Sequence, residues 1–153
     1  MIPSGMTLHA TLRREWAADL TPQQLYDLLR LRVDIFVVEQ KCPYPELDGR
    51  DLEPSTRHFW LAGDDGRVLA VLRLLEERDG SFRVGRVCTA ADARGNGLSG
   101  RLMEAAVAEI GSAPSVLDAQ VAVKSFYARF GYVTEGEEFL EDGIPHVVMR
   151  RNG

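Results

Sequence analysis

Between Arg86 and Met103 the chain reads RVCTAADARGNGLSGRLM. An apolar segment runs into a glycine-rich loop, and the loop opens an amphipathic helix. The first backbone amides of a helix have no intrahelical partner, and the helix dipole makes that end electropositive. Glycines let an anion reach those amides without meeting a β-carbon, and Arg94 adds a full positive charge. This stretch therefore predicts a phosphate or pyrophosphate site, although a turn whose glycines serve only its backbone geometry would look the same.

The same glycines spell a second pattern, which belongs to dinucleotide-binding folds. Gly95, Gly97 and Gly100 match GxGxxG, and Asp118 lies 18 residues beyond the last of them. That fingerprint needs a strand that ends at the first glycine, within a βαβ unit. Here 90–94 intervene, and the 53 residues after Gly100 are too few for the rest of a doubly wound sheet. A dinucleotide site is therefore disfavoured.

Residue periodicity and turn signals predict a single α+β domain over 1–153. A capping box at Thr21, with proline at the first helical position, predicts a helix that runs to about Phe36. The proline-containing segment 37–56 is predicted to be irregular, and long irregular segments often carry function. Gly85, inside a strand, predicts a β-bulge or a close approach to the backbone. The predicted strands are 7–15, 58–62, 68–76, 81–89, 115–122, 132–140 and 144–150, and the later helices are 98–110 and 123–130.

Composition and charge limit the class of protein. The 153 residues carry a formal net charge of −5, with 45% hydrophobic and 27% charged residues, which is typical of a globular domain. The basic residues are scattered, so we expect no nucleic-acid partner, and without an apolar run of 18 residues we expect no membrane span. Segment 1–5 lacks the layout of a signal peptide, which predicts a cytoplasmic location. Cys42 and Cys88 are too few for a disulfide framework or a zinc site.

Two motifs in the chain resemble those of the GNAT N-acetyltransferases. The first is Arg94-Gly95-Asn96-Gly97-Leu98-Ser99, which is similar to the family's R/Q-x-x-G-x-G/A loop and departs from it at the final serine. The second is 120–132, QVAVKSFYARFGY, which is similar to N-x-x-A-x-x-x-Y-x-x-x-G-F/Y with Gln120 in place of Asn and Val123 in place of Ala. Two such motifs in the right order and at the right separation are much more specific than either alone.

The resemblance extends upstream to the ElaA-like branch of that family and covers roughly 25–150. The segments that carry it are LRVDIFVVEQ at 31–40, CPY at 42–44, DGRD at 48–51, GRV at 85–87 and EDGIPH at 141–146. It implies a GNAT-type three-layer α+β fold, in which a mixed, mostly antiparallel sheet is splayed near Gly85 and helices cover both faces.

The resemblance also implies a donor and a reaction. The donor is acetyl-coenzyme A, no metal is needed, and a primary amine of a small molecule or protein attacks the thioester directly. A homodimer is left open, as is a non-catalytic coenzyme A-binding sensor with the same fold. The residues that the resemblance assigns to the donor are Val87, Cys88, Thr89, Arg94, Gly95, Asn96, Gly97, Leu98, Ser99, Gly100, Gln120 and Tyr127.

Acetyl transfer needs a neutral amine and a proton for the departing thiolate. The resemblance implies that Tyr127 is the acid. For the base, Glu39 is preferred, because a carboxylate just after an apolar helix is expected to be partly buried with a raised pKa. The other candidate bases are Asp48, Asp51, His58 and His146.

The acceptor site is predicted from Glu39, Asp48, His58, Arg86 and His146. Arg86 is expected to bind an acidic group or to hold Glu39 in place. The acidic excess of 39–53 favours a cationic amine, although a solvated acidic loop explains that excess equally well. Cys88 suggests an acyl-cysteine intermediate, but packing in the core is favoured.

Overall fold

A computed structural model describes residues 8–153. Thr7, where the first predicted strand begins, and the segment 1–5 lie outside the described residues. The strands are β1 (Ala10–Trp16), β2 (Arg57–Gly63), β3 (Val68–Glu76), β4 (Phe82–Thr89), β5 (Pro114–Gln120), β6 (Val133–Glu141) and β7 (Ile144–Asn152). The helices are α1 (Pro22–Arg32), α2 (Leu98–Ile110) and α3 (Lys124–Ala128), with a π-helix at Val33–Glu39 and 3₁₀ turns at Ala17–Asp19, Arg50–Leu52, Ala91–Ala93 and Val121–Val123.

The seven strands form one sheet in the order β1-β2-β3-β4-β5-β7-β6. Neighbouring strands are antiparallel except for β4 and β5, which run parallel. The parallel pair is in register at two positions only, Phe82 with Ser115 and Arg83 with Val116, and then separates. The expected mixed, mostly antiparallel sheet, splayed near Gly85, is confirmed. The separation opens a gap in the middle of the sheet.

A β-bulge distorts β4 where it leaves β5. Two residues of β4, Arg86 and Val87, lie opposite a single residue of β3, Leu72. Arg86 takes a φ of 54°, a left-handed conformation that L side chains rarely adopt. The bulge predicted at Gly85 therefore lies one residue further on. Because a bulge bends its strand, it turns the end of β4 away from the pairing with β5.

The first long helix begins as predicted and ends differently. Thr21 accepts a hydrogen bond from the backbone of Gln24, whose side chain accepts one from the backbone of Thr21, so the capping box is confirmed. The helical segment does not stop at Phe36 but continues through the π-helix Val33–Glu39. A π turn holds more residues than a 3.6-residue α turn, so it rotates the following side chains around the helix axis. The irregular segment consequently starts later than predicted.

Helices cover both faces of the sheet, as expected. α2 packs on one face of β2, β3 and β4, while α1 packs on the opposite face of β3. On the first face the buried residues of α2 are Leu98, Leu102, Met103, Ala106 and Ile110. On the second face the buried cluster is Leu28, Ile35, Trp60, Val71 and Cys88. Cys88 therefore packs in the core, as the sequence favoured.

The last third of the chain differs from the prediction mainly in length. β5 ends at Gln120 because Val121–Val123 forms a 3₁₀ turn, and α3 is confined to Lys124–Ala128. Gly131 follows the helix at a φ of 91°, the left-handed position predicted for it. β6 is one of the two edge strands of the sheet, and every residue of it is exposed.

Candidate active site

A cleft of about 440 Å³ occupies the gap between β4 and β5. Its walls come from β4, the ends of β5 and α3, the π-helix, and the turn between β6 and β7. The cleft brings together segments that lie more than a hundred residues apart in the chain, such as those of Glu39 and His146. Nine of the residues predicted for the site line this cleft: Glu39, Arg86, Val87, Cys88, Thr89, Arg94, Gln120, Tyr127 and His146.

A second hollow adjoins the cleft at the start of α2. Gly97 is the N-cap, with a φ of 70°, and no side chain caps the helix. The amides of Leu98, Ser99 and Gly100 therefore lack an intrahelical partner, and the helix dipole adds positive potential there. The residues that line the hollow are Thr89, Ala93, Arg94, Gly95, Gly97, Leu98, Ser99, Gly100, Phe126 and Arg129. This geometry suits an anion, as the sequence predicted.

Two polar side chains of the donor loop, defined as residues 94–100, form hydrogen bonds with other groups of the protein. Ser99 Oγ lies 2.7 Å from Thr89 Oγ1, which joins the start of α2 to the end of β4. The Asn96 side-chain amide donates to the carbonyls of Ala93 and Arg94, so it shapes the loop and does not line the hollow. The serine that departs from the family motif thus gains an internal partner.

Tyr127 and Cys88 lie together in the cleft wall. Burial raises the pKa of Tyr127 to about 12, with the nearby Cys88 as a further cause. Burial also raises the pKa of Cys88 to about 12. At neutral pH both groups therefore keep their protons. This state suits a hydrogen-bond donor at Tyr127 and disfavours a nucleophilic thiolate at Cys88.

Glu39 lines the cleft, but the expectation that it is partly buried is wrong. Its side chain is 42% exposed and forms an ion pair with Arg94, with 2.8 Å between Oε2 and Nη2. Arg94 also donates to the carbonyl of Thr89. Next to this pair, the Gln120 side chain donates to Gln40 Oε1 at 3.2 Å. The end of the π-helix is therefore bonded to the donor side of the cleft twice.

Arg86 does not hold Glu39, and the acidic residues of 39–53 are not free to attract an amine. Arg86 donates to Glu46 at 2.9 Å, and Glu46 also accepts from Arg32 at 2.7 Å. Asp48 accepts two hydrogen bonds from Arg73. Three arginines thus neutralise the three acids Glu46, Asp48 and Asp51. An acidic excess exists in the sequence but is cancelled in the fold.

The pKa values of two of these carboxyl groups reflect that pairing. Burial by itself would raise the pKa of Asp48, but hydrogen bonds from Arg73 and the Arg50 amide hold it well below its ordinary value. For Asp51, burial is again opposed by Arg32 and Arg73, and the pKa is lowered. Neither carboxylate can act as a base at neutral pH, because a base must take up a proton readily near that pH.

His58 does not line the cleft. It is 3% exposed, its Nε2 lies 3.0 Å from the carbonyl oxygen of Asp51, and burial lowers its pKa. The predicted contact between His58 and an acceptor is therefore not supported by its position, because its ring is enclosed between the sheet and the 3₁₀ turn Arg50–Leu52. Asp48 does not line the cleft itself either, but it anchors two arginines that do.

His146 lies at the other end of the cleft, on β7 opposite Gln120 of β5. Its Nδ1 is 2.7 Å from the carbonyl oxygen of Ile144, and its Nε2 is 3.6 Å from Glu141 Oε2. The ring of Phe139 stacks on it at 5.9 Å between centroids. The structure thus unites His146 with the cleft and gives it a carboxylate neighbour.

Several cleft residues were missed by the sequence analysis. Arg129 lies in the hollow without an ion pair among the described residues, and Glu141 faces His146. Asp118, considered only for a dinucleotide, lines the cleft beside Arg83. The hairpin turn at Asp142-Gly143 pairs Glu141 with Ile144, so counting along the predicted strands could have placed Phe139 opposite His146, with Glu141 near the same end of the hairpin. No comparable signal exists for Arg129.

Two further observations concern other site classes. Within 8–153, no group of three or more histidine, cysteine or carboxylate side chains is arranged to hold a metal ion. In the same part of the chain, no helix has the length and apolar character needed to cross a membrane.

The chain resembles known proteins over most of its length. The model of the acetyltransferase (GNAT) domain family matches residues 17–152. A UPF0039 protein of Mycobacterium tuberculosis is 59% identical over 145 residues, which cover 93% of both chains. The ElaA protein of Escherichia coli is 37% identical over 140 residues, covering 88% of this chain and 91% of that one.

Solved structures show the same likeness in three dimensions. An acyl-CoA N-acyltransferase from Pseudomonas aeruginosa superposes with a TM-score of 0.87 at 44% identity, covering 94% of this chain and 99% of that one. The crystal structure of Escherichia coli ElaA gives a TM-score of 0.84 at 34% identity, with the same coverage. These matches establish acyl transfer, with an acyl-coenzyme A as donor, as the reaction class of the fold. The chain belongs to the GNAT acetyltransferase family, in its ElaA-like branch.

Proposed function

We propose that this protein transfers an acetyl group from acetyl-coenzyme A to a primary amine by direct attack. The observation that carries the proposal is the uncapped start of α2, where three free amides and Arg94 surround a hollow that opens beside the cleft. A pyrophosphate bound there would leave the pantetheine arm to follow β4 into the gap. The thioester would then lie near Val87, Cys88 and Tyr127, which line the cleft together.

The proposed reaction has one bond-forming and one bond-breaking step. The neutral amine nitrogen attacks the thioester carbon, and the carbon–sulfur bond of the tetrahedral intermediate breaks to release a thiolate. Tyr127 donates a hydrogen bond to the sulfur as its charge grows. The pKa of Tyr127 is about 12, above the roughly 8.5 of an ordinary thiol. The hydroxyl therefore keeps its proton and stabilises the thiolate through the hydrogen bond. The attacking nitrogen loses a proton as the amide forms, and the thiolate takes up a proton from solvent.

Direct attack is preferred over an acyl-cysteine route. Cys88 is 7% exposed and has a raised pKa, so little thiolate exists at neutral pH. Mixing the protein with acetyl-coenzyme A in the absence of an acceptor should leave Cys88 unmodified by mass spectrometry. An acetyl adduct that forms and is then discharged by an amine would replace direct attack with a two-step mechanism.

A screen of primary amines tests the proposed function itself. Release of free coenzyme A that depends on both acetyl-coenzyme A and an amine is expected, with the acetylated amine detected by mass spectrometry. Calorimetric binding of coenzyme A without transfer to any amine would favour a non-catalytic sensor. Failure of coenzyme A to bind would remove the donor assignment. The cytoplasmic location and the homodimer stay predictions.

A further inference from the structure

We propose that His146, oriented by Ile144 and Glu141, is the base that takes the proton from the acceptor ammonium. The inference rests on the proposed acetyl transfer and adds to it the group that makes the amine nucleophilic. A lysine-like ammonium has a pKa of about 10.4, so at neutral pH it must lose a proton before or during attack. A base within reach of the reacting amine is therefore worth a large factor in rate.

The hydrogen bonds of His146 determine which of its nitrogens is free. A carbonyl oxygen only accepts, so the 2.7 Å contact with Ile144 requires that Nδ1 carries the hydrogen. In the neutral ring this leaves Nε2 with its lone pair. Glu141 Oε2 lies 3.6 Å from Nε2, too far for a direct hydrogen bond but close enough to stabilise the imidazolium that forms. The neutral ring is thus set in the tautomer that a base needs.

The position of His146 in the sheet places its side chain in the wall of the cleft. His146 pairs with Gln120, the last residue of β5, where the cleft widens. Both residues and Tyr127 line the same cleft. The side chain of His146 is only 11% exposed, and the ring of Phe139 covers it at 5.9 Å. A proton that Nε2 receives there comes more readily from a bound amine than from bulk water.

The charges around His146 favour a cationic acceptor. Glu141 and Asp142 line the cleft, and neither pairs with a lysine or arginine in the described part of the chain. The other charged side chains that line the cleft are paired: Asp118 with Arg83, Glu39 with Arg94, Arg86 with Glu46, and Arg73 with Asp48 and Asp51. An ammonium drawn to Glu141 would lie within reach of Nε2. Nε2 takes the proton of the ammonium and passes it to solvent, and the neutral amine then attacks the thioester carbon. The nitrogen loses a second proton as the amide forms, and the released thiolate takes a proton from solvent.

The other candidate bases are committed elsewhere. Glu39 is bound to Arg94 in the exposed mouth of the cleft. Asp48 and Asp51 have lowered pKa values because arginines hold them. His58 is bonded to a backbone carbonyl outside the cleft. Of the five candidates from the sequence, His146 lines the cleft and keeps a ring nitrogen, Nε2, that makes no hydrogen bond within 8–153.

The test compares two acceptors whose need for a base differs. Hydroxylamine is neutral near pH 7.5, whereas the best primary amine from the screen is an ammonium. We expect His146→Gln to lower kcat for the ammonium acceptor by about a hundredfold or more and for hydroxylamine by less than about threefold. Glu141→Gln, the positioning variant, should show the same contrast at about tenfold, with partial recovery in Glu141→Asp. Glu138→Gln, an exposed change on the same strand, is the matched control and should change neither rate.

Other outcomes would overturn the assignment. An equal loss with both acceptors would make His146 structural, and the same contrast in Glu39→Gln without one in His146→Gln would move the base to Glu39. A measurement independent of turnover is ¹⁵N NMR of the histidine ring, which should show the hydrogen on Nδ1. A ring with its hydrogen on Nε2 would sink the proposal even if no acceptor is found. Absence of transfer by the parent, with coenzyme A bound, would instead overturn the proposed function, and the base assignment would fall with it.

Discussion

Arg94 Nη2 lies 2.8 Å from Glu39 Oε2, so the arginine of the donor loop is paired with the last residue of the π-helix across the mouth of the cleft. The two side chains are 45% and 42% exposed. An exposed pair of this kind contributes at most about 1 kcal/mol. A phosphate that binds Arg94 must therefore compete with Glu39. Because the ion pair is weak, we expect the phosphate to displace the carboxylate.

Glu39→Gln is expected to strengthen coenzyme A binding by up to about fivefold, because the freed Arg94 no longer has to leave a carboxylate. Isothermal titration calorimetry at low ionic strength measures the change in affinity. Added salt should reduce the difference in affinity between Glu39→Gln and the parent. Arg94→Gln is the paired variant and should weaken binding by about tenfold. Weaker binding in Glu39→Gln would show that the carboxylate supports the donor site and does not compete with it.

Gly100→Ala places a methyl group among the free amides at the start of α2. The added Cβ would meet only Phe130 of the protein, at 4.0 Å, and alanine favours a helix. Folding should thus be unharmed while coenzyme A affinity falls at least about tenfold, or about 1.4 kcal/mol. Calorimetry and thermal melting on the same preparation separate the two effects. Ala108→Val, an exposed change near the other end of α2, should leave affinity as it is.

Gly97 is a poorer position than Gly100 for this test. Its φ of 70° means that valine there would strain the loop whether or not a ligand binds. Unchanged coenzyme A affinity in Gly100→Ala would contradict the pyrophosphate assignment, because alanine at this position changes the site without straining the backbone.

Local patterns in the sequence predicted the elements that position the donor site. Periodic apolar residues gave α2, and aspartate-glycine turns gave the hairpins. The glycines before Leu98 predicted that the first amides of α2 would be accessible to an anion. The gap between β4 and β5 followed from the family resemblance. None of these predictions needed long-range contacts.

Long-range pairing decided what the sequence could not. Arg32 follows Leu28 at helical spacing on the apolar face of the first helix, and it is 1% exposed. Periodicity does not reveal its partners Glu46 and Asp51, which lie 14 and 19 residues further along the chain. The charges of Glu46, Asp48 and Asp51 are therefore balanced by arginines within the fold. The π-helix that carries Glu39 into solvent has no signature in residue periodicity. The position of Arg32 depends on partners that are distant in the sequence, and the position of Glu39 depends on a rare backbone conformation.

Tyr127→Phe keeps the ring in the cleft wall and removes only the hydroxyl. Hydrogen bonds to charged groups are worth about 1.5–3 kcal/mol, so kcat should fall by about ten- to a hundredfold while coenzyme A affinity stays within about threefold. Because the pKa of Tyr127 is about 12, the parent should not lose activity between pH 8 and 10 through ionisation of this group. Steady-state kinetics and calorimetry measure both quantities. A kcat within about threefold of the parent, with a lowered melting temperature, would make Tyr127 a packing residue.

Acid should destabilise the fold through the carboxylates beneath the cleft. The pKa values of Asp48 and Asp51 are lowered from the ordinary 3.8, so the folded state binds fewer protons than the unfolded state as pH falls through that range. The stability they contribute is fully present above pH 3.8 or so and is lost as pH falls towards their folded pKa values. Asp48→Asn should lower the melting temperature at pH 7 and flatten its decline between pH 5 and pH 3. Asp64→Asn, in an exposed turn, should match the parent at every pH, and a parallel shift of the Asp48→Asn curve would contradict the linkage.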